Sequence, residues 1–134
     1  MLPESLLETR DLLYLARADL DASERLLVGE PLIGIALFHC QQAVEKALKA
    51  YLSARQQPYP YSHDLTDLIA RCRQQDPEFV TIESPAADLT RFAIAARYQR
   101  ALSATPPEHV MPVFQEAKRL VRFVEERLPP EVTR

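Results

Sequence analysis

Glycine is nearly absent from this 134-residue chain: Gly29 and Gly34 stand against 11 prolines. No other feature constrains the fold as much. Several tight turns demand positive φ, which glycine supplies most easily, and an all-β domain of this length needs many such turns. Sandwiches and barrels are therefore disfavoured. Two isolated glycines also exclude a Gly-rich phosphate loop and a dinucleotide fingerprint. The prolines do not signal disorder, because 47% of the residues are hydrophobic. They read as punctuation between helices. The length predicts one domain over residues 1–134, with a core spanning about residues 5–128.

Five segments carry helical periodicity. The first runs over residues 5–28. Ser5 with Glu8 forms a capping-box pattern, Leu6, Leu13, Ala16, Leu20 and Leu27 make the stripe, and Asp11, Arg17, Asp21 and Arg25 lie on the wet side. The second opens near Pro31. Ile33, Leu37, Cys40, Val44, Ala47 and Tyr51 alternate steps of four and three, a bundle seam widened by Ala36, Ala43, Leu48 and Leu52. It stops before Pro58. Ser62-His63-Asp64 caps a short third helix carrying Leu65, Leu68 and Ile69, which ends before Pro77. Ser84-Pro85 opens a fourth with Leu89, Phe92 and Ala93. The fifth lies between Pro107 and Pro129 and carries Val113, Ala117, Leu120, Val124 and Leu128. A start near His109 keeps Pro112 in its first turn, where no intrahelical bond is lost. Residues 130–134 are expected to fray. The predicted fold is all-α, an up-and-down four-helix bundle with one additional short helix.

The formal charge of -3 argues against a generic nucleic-acid coat but leaves room for a local basic groove. Cys40 and Cys72 form no C-x-x-C, Cys40 reads as a core residue, and no H-x-x-x-H pair exists. No metal or cofactor is expected. The N-terminus lacks a basic-then-apolar signal, and the apolar run over residues 32–38 is too short to span a membrane. The expectation is a cytoplasmic protein without a membrane anchor.

Three features bear on chemistry. His39, Gln42, Lys46 and Lys49 step by three, four and three, a polar stripe on an otherwise apolar helix, with Gln41, Glu45 and Lys49 as a neighbouring row. Such a stripe is either a solvated face with a Glu45–Lys49 i,i+4 pair or a cleft wall offering ammonium and amide groups to a phosphate or base. His63-Asp64 at a helix start is either a cap or a general base or phosphate contact. Arg97-Tyr98 follows an apolar run, where the guanidinium either pairs with a carboxylate or takes an anion.

The string Phe38-His39-Cys40-Gln41-Gln42-Ala43-Val44-Glu45-Lys46-Ala47-Leu48-Lys49-Ala50-Tyr51-Leu52 resembles the signature helix of HEPN domains, the nucleotide-binding helical domains of higher eukaryotes and prokaryotes. The family pattern there is close to A-Q-Q-A-x-E-K-x-L-K-A-L-L. Ala18-Asp19-Leu20 and Ala22-Ser23-Glu24-Arg25-Leu26-Leu27 are similar to its first helix, His63-Asp64-Leu65 to its H-D-L, and Arg97-Tyr98 to the start of its R-Y-P, which reads R-Y-Q here. The resemblance covers residues 12–124. It implies a bundle of four or five helices, usually a homodimer, with a cleft that binds nucleotides or RNA. It also implies a neighbouring minimal nucleotidyltransferase as partner, sometimes in a toxin–antitoxin pair. Ribonuclease members carry R-x4-6-H. Counting on from Arg91, Arg97 and Arg100, no histidine falls at the required spacing.

The leading expectation is a catalytically silent nucleotide- or nucleic-acid-binding protein, homodimeric and partnered with a nucleotidyltransferase. Its candidate ligand-binding residues are Gln42, Lys46, Lys49, His63, Asp64, Arg97 and Tyr98. The alternatives are a metal-independent ribonuclease toxin with a rearranged site, using His63 and Arg97, and a plain helical interaction module. The dimer is also expected because Phe114, Val121 and Phe92 cannot all face one small core.

Overall fold

The computed structural model describes residues 1–29, 32–98 and 107–134, with the side chains of residues 96–98 and 107–109 outside the description. Among the described residues, six helices follow in chain order: α1 (Leu7–Leu26), α2 (Ile33–Ala54), α3 (Leu65–Gln75), α4 (Glu83–Tyr98), α5 (Pro107–Glu125) and the four-residue α6 (Pro130–Thr133). Short 3-10 turns occupy Glu4–Leu6 and Pro77–Ile82. No strand occurs among the described residues. The predicted helical bundle is therefore the observed fold.

The α2 helix is the axis of the bundle, because its apolar arc is the widest. Every member of the predicted seam is buried, as are Ala36, Ala43, Leu48 and Leu52. That arc lets α2 pack against α1, α3, α4 and α5 at once. Small residues at Ala36, Ala43, Ala47 and Ala50 let its neighbours approach closely, while Leu48, Tyr51 and Leu52 fill the wider spaces. Cys40 and Cys72 are both buried and unbridged. Near the other end of the core, Tyr51, Phe79 and Phe123 form a tilted and edge-on aromatic row with centroids 4.6 and 5.3 Å apart.

The helix ends show local physics at work. Asp64 is the N-cap of α3, accepting from the Thr66 N–H at 2.9 Å. At the α2 C-terminus, the Gln57 N–H bonds Leu52 O and the Gln56 N–H bonds Ser53 O, both at 2.9 Å. This is a Schellman motif in which Gln56, at φ 56°, holds the left-handed position that glycine usually fills. Gly29 takes φ 73° beyond the end of α1.

Several sequence expectations need correction. Ser5 does not cap α1. It lies in a 3-10 turn, and Glu8 is drawn instead to the Tyr59 hydroxyl and Ser53 Oγ. The α5 helix begins at Pro107 rather than near His109, so Pro112 lies inside it. The bond this forfeits falls close to the helix start, and the pyrrolidine φ is itself helical. Residues 130–133 do not fray: Val132 packs into the core and Thr133 O accepts from Arg17. Phe114 and Val121 are buried within the single chain, so they supply no argument for a dimer. Only Phe92 of that trio is exposed, because Ala86, Leu89 and Ala93 are the residues α4 turns inward.

Candidate functional site

The polar stripe of α2 is neither an open cation ladder nor an ordinary wet face. Each lysine is held by a carboxylate almost fully withdrawn from solvent. Asp19, on α1, accepts from Lys46 Nζ at 2.6 Å and meets His39 Nδ1 at 2.7 Å. Its side chain is 10% exposed, against 26% for Lys46. Glu45, on α2, accepts from Lys49 Nζ at 3.0 Å and meets His63 Nδ1 at 3.0 Å. Its side chain is 4% exposed, against 14% for Lys49. The i,i+4 pair read from the sequence exists, but as a buried pair.

Two carboxylates thus each gather one lysine and one histidine. Buried charges are tolerated when paired and hydrogen-bonded, and both conditions are met here. The arrangement also fixes the imidazoles. An ionised carboxylate can only accept, so Nδ1 of each ring carries the hydrogen; in the neutral ring Nε2 is then the acceptor, a tautomer assigned from the bonding pattern. Burial pushes the Cys40 thiol up to about 11 and the Cys72 thiol to about 12, which leaves neither as a nucleophile.

The same face of α2 builds a wall. Gln41 is clamped at both ends: its Nε2 donates to His63 O at 3.1 Å, and its Oε1 accepts from Thr90 Oγ1 at 3.2 Å. One side chain therefore ties α2 to the segment entering α3 and to α4. Gln42 Nε2 reaches Glu45 Oε1 at 3.3 Å, a longer and weaker bond. Between these elements lies a cavity of about 380 Å³, lined by Phe38, Gln41, Gln42, His63, Thr90, Ala93 and Ile94. A second groove of about 370 Å³ runs between α1 and α5, where Arg17, Lys118 and Arg122 face Asp21, Glu24 and Glu125. None of the groove's described lining residues is a predicted site residue.

A HEPN domain profile matches residues 9–128. The chain belongs to the HEPN domain family. No curated protein and no solved structure matches it. Both halves of the carboxylate network, the cavity walls and the whole of α2 fall inside the HEPN match.

The structure brings together some of the predicted site residues and separates others. Gln42 and His63 share the cavity wall. Lys46 and Lys49 lie along the same helix but point into carboxylates. Asp64 is exposed, with one oxygen committed to capping α3. Arg97 and Tyr98 fall on the last turn of α4, about one turn beyond Ala93 and Ile94, and their side chains lie outside the described residues. Among the described residues, no group of three or more His, Cys, Asp or Glu is placed to hold a metal ion.

Sequence reasoning passed over Asp19 and Glu45 as the organising groups. The signal was present. Asp19 continues the buried row Leu13, Ala16, Ser23 at helical spacing, and Glu45 lies on the row Gln41, Leu48, Leu52. An acid on an apolar row demands a partner.

Proposed function

We propose that this HEPN protein binds a nucleotide or a nucleic-acid segment in the α2–α4 cavity and acts, without cleaving RNA, as the partner of a minimal nucleotidyltransferase. The observation that carries the reading is the cavity itself. Its volume falls within the range of small-molecule sites, and it combines apolar walls with a few fixed polar groups. Family membership supports a nucleotide- or RNA-related role. The missing R-x4-6-H supports the absence of cleavage, because the sequence lacks the histidine that would move the proton in that motif. The protein works in the cytoplasm as a homodimer in this reading, and the exposed Phe92 and Met111 are apolar surface available to a second copy. Toxin–antitoxin logic is the expected setting of the pair.

The experiment is isothermal titration of the purified protein with a panel of nucleosides, nucleotides and short RNAs, and with the nucleotidyltransferase encoded in the adjacent reading frame. Saturable binding of at least one nucleoside, nucleotide or RNA, together with a stoichiometric complex with the transferase, is expected. Absence of any nucleoside, nucleotide or RNA binding overturns the reading. Cleavage of the RNA during the titration overturns its silent-partner half.

A further inference from the structure

The cavity has a polarity that the sequence reading did not anticipate, and that polarity bears on which part of a nucleotide it holds. Phosphate recognition in proteins relies on cations and on converging N–H donors. The described residues lining this cavity include no lysine or arginine. The two nearest lysines along α2 are neutralised one for one, Lys46 by Asp19 and Lys49 by Glu45, with N···O separations of 2.6 and 3.0 Å. Among the described residues, a phosphate entering here would find an ammonium only by pulling it away from a carboxylate that is itself shut off from water. It would then sit beside the stranded anion.

The hydrogen-bonding groups point the same way. With Nδ1 of His63 committed to Glu45, the neutral ring offers Nε2 as an acceptor. Fully ionised phosphate oxygens also only accept, so the two are mismatched. An exocyclic amino group of a nucleobase donates and matches. Gln41 is locked by His63 O and Thr90 and serves as wall. Among the described residues Gln42 makes the 3.3 Å bond to Glu45, weak enough for its amide to turn to a ligand and offer both a donor and an acceptor to a base edge. Phe38, Ala93 and Ile94 supply apolar surface for the faces of a flat ring.

We infer that the α2–α4 cavity is a nucleobase site: it takes the base of an amino-bearing nucleoside, read by His63 Nε2 and the Gln42 amide, and leaves the phosphates in solvent. This rests on the reading of the chain as a nucleotide binder and specifies which moiety provides the affinity. A strand of RNA would be held in the same way, by one base turned into the pocket, with little contribution from its backbone.

The test is calorimetry on the full chain with adenosine, AMP, ATP and inorganic tripolyphosphate, repeated at low and high salt. Adenosine and cytidine are each compared with their oxo counterparts, inosine and uridine. Adenosine, AMP and ATP are expected to bind within about threefold of one another, with little change on adding salt, since counterion release accompanies phosphate contacts and not base contacts. Tripolyphosphate is expected neither to bind nor to compete. At least one amino nucleoside is expected to exceed its oxo counterpart by about tenfold, the worth of one well-formed hydrogen bond. Gln42→Ala and His63→Ala, checked for unchanged helicity, are expected to weaken the nucleoside and the triphosphate equally. Glu45→Gln serves as a further probe, because an amide can donate to Nδ1 and so reverse the tautomer of His63, which would erase the amino preference. Affinity that climbs more than tenfold from adenosine to ATP, or displacement by tripolyphosphate, would overturn the base-site inference while leaving nucleotide binding intact. Failure of every nucleoside, nucleotide and RNA to bind would remove both.

Discussion

Replacing Asp19 with Asn tests the most unusual feature of the molecule at the level of energy. The carboxylate accepts from Lys46 at 2.6 Å and meets His39 at 2.7 Å from a position 10% exposed. Hydrogen bonds to charged groups contribute about 1.5–3 kcal/mol each. Asn keeps the shape and one acceptor oxygen, so one contact survives in weakened form and the other faces an N–H2 group. Loss of one partner from a fully buried pair costs roughly 3–5 kcal/mol. Lys46 and His39 are each about a quarter exposed and recover some hydration, which brings the expected cost down to about 2 kcal/mol. For a domain of this size that is a fall in Tm of roughly 6–10 °C. The assay is urea unfolding followed by far-UV circular dichroism for wild type, D19N, K46M and the double variant. A coupling energy of about 1 kcal/mol or more is expected, because once one partner is gone, removing the other relieves an uncompensated group. A D19N cost below about 0.5 kcal/mol with additive single changes would refute the reasoning, since that is how exposed salt bridges behave.

Three further predictions rest on other parts of the fold. Gln56→Gly is expected to stabilise by about 0.5–1 kcal/mol, because the Schellman position at φ 56° strains a side chain with a Cβ; a loss of stability in urea melts would contradict this. Cys40 and Cys72, both buried and with thiols pushed up to about 11 and 12, are expected to react with a chromogenic disulfide reagent only at the rate of global opening; rapid labelling of the native protein would show that the core is looser than described. Burial, and then the neighbouring Glu8 carboxylate, push the Tyr59 hydroxyl from its ordinary 10.0 up to about 12. The folded state thus holds this proton more tightly than the unfolded one. The resulting stability is complete below about pH 10 and is lost as the pH rises through 12. Tyr59→Phe is therefore expected to flatten the alkaline decline in stability, and an unchanged slope between pH 10 and 12 would count against the Glu8 contact.

The helices were legible because their signals are local. The seam of α2 from Ile33 to Tyr51 is a period-3.6 pattern unbroken by proline, and Asp64 is a cap with its acceptor two residues from its donor. The start of α5 was less legible. Pro112 is tolerated inside the helix, so a rule about proline placed the boundary too late. The segment Phe79-Val80-Thr81-Ile82, β-like in composition, is a 3-10 turn because Asp76 caps it and Phe79 is recruited into an aromatic row. The polar stripe of α2 was legible as a stripe, and its electrostatics were not. Gln42, Lys46, Lys49 and His63 were visible as a polar stripe with a nearby H-D-L. Their meaning depends on Asp19, brought from α1 by the long-range pairing of two helices, and on the depth at which Glu45 sits. Spacing in sequence reports which residues share a face of one helix. It does not report what the neighbouring helix places against that face.

The most direct test of the central claim is chemical-shift mapping on ¹⁵N-labelled protein titrated with adenosine, with cytidine and with AMP. The account predicts saturable shifts confined to the Gln42 side-chain amide and to the backbone amides of Phe38, Thr90 and Ile94, in the same pattern for the nucleosides and the nucleotide. Shifts centred instead on the α1–α5 groove at Arg17, Lys118 and Arg122, or on the amides around Lys46 and Lys49 for AMP alone, would contradict it.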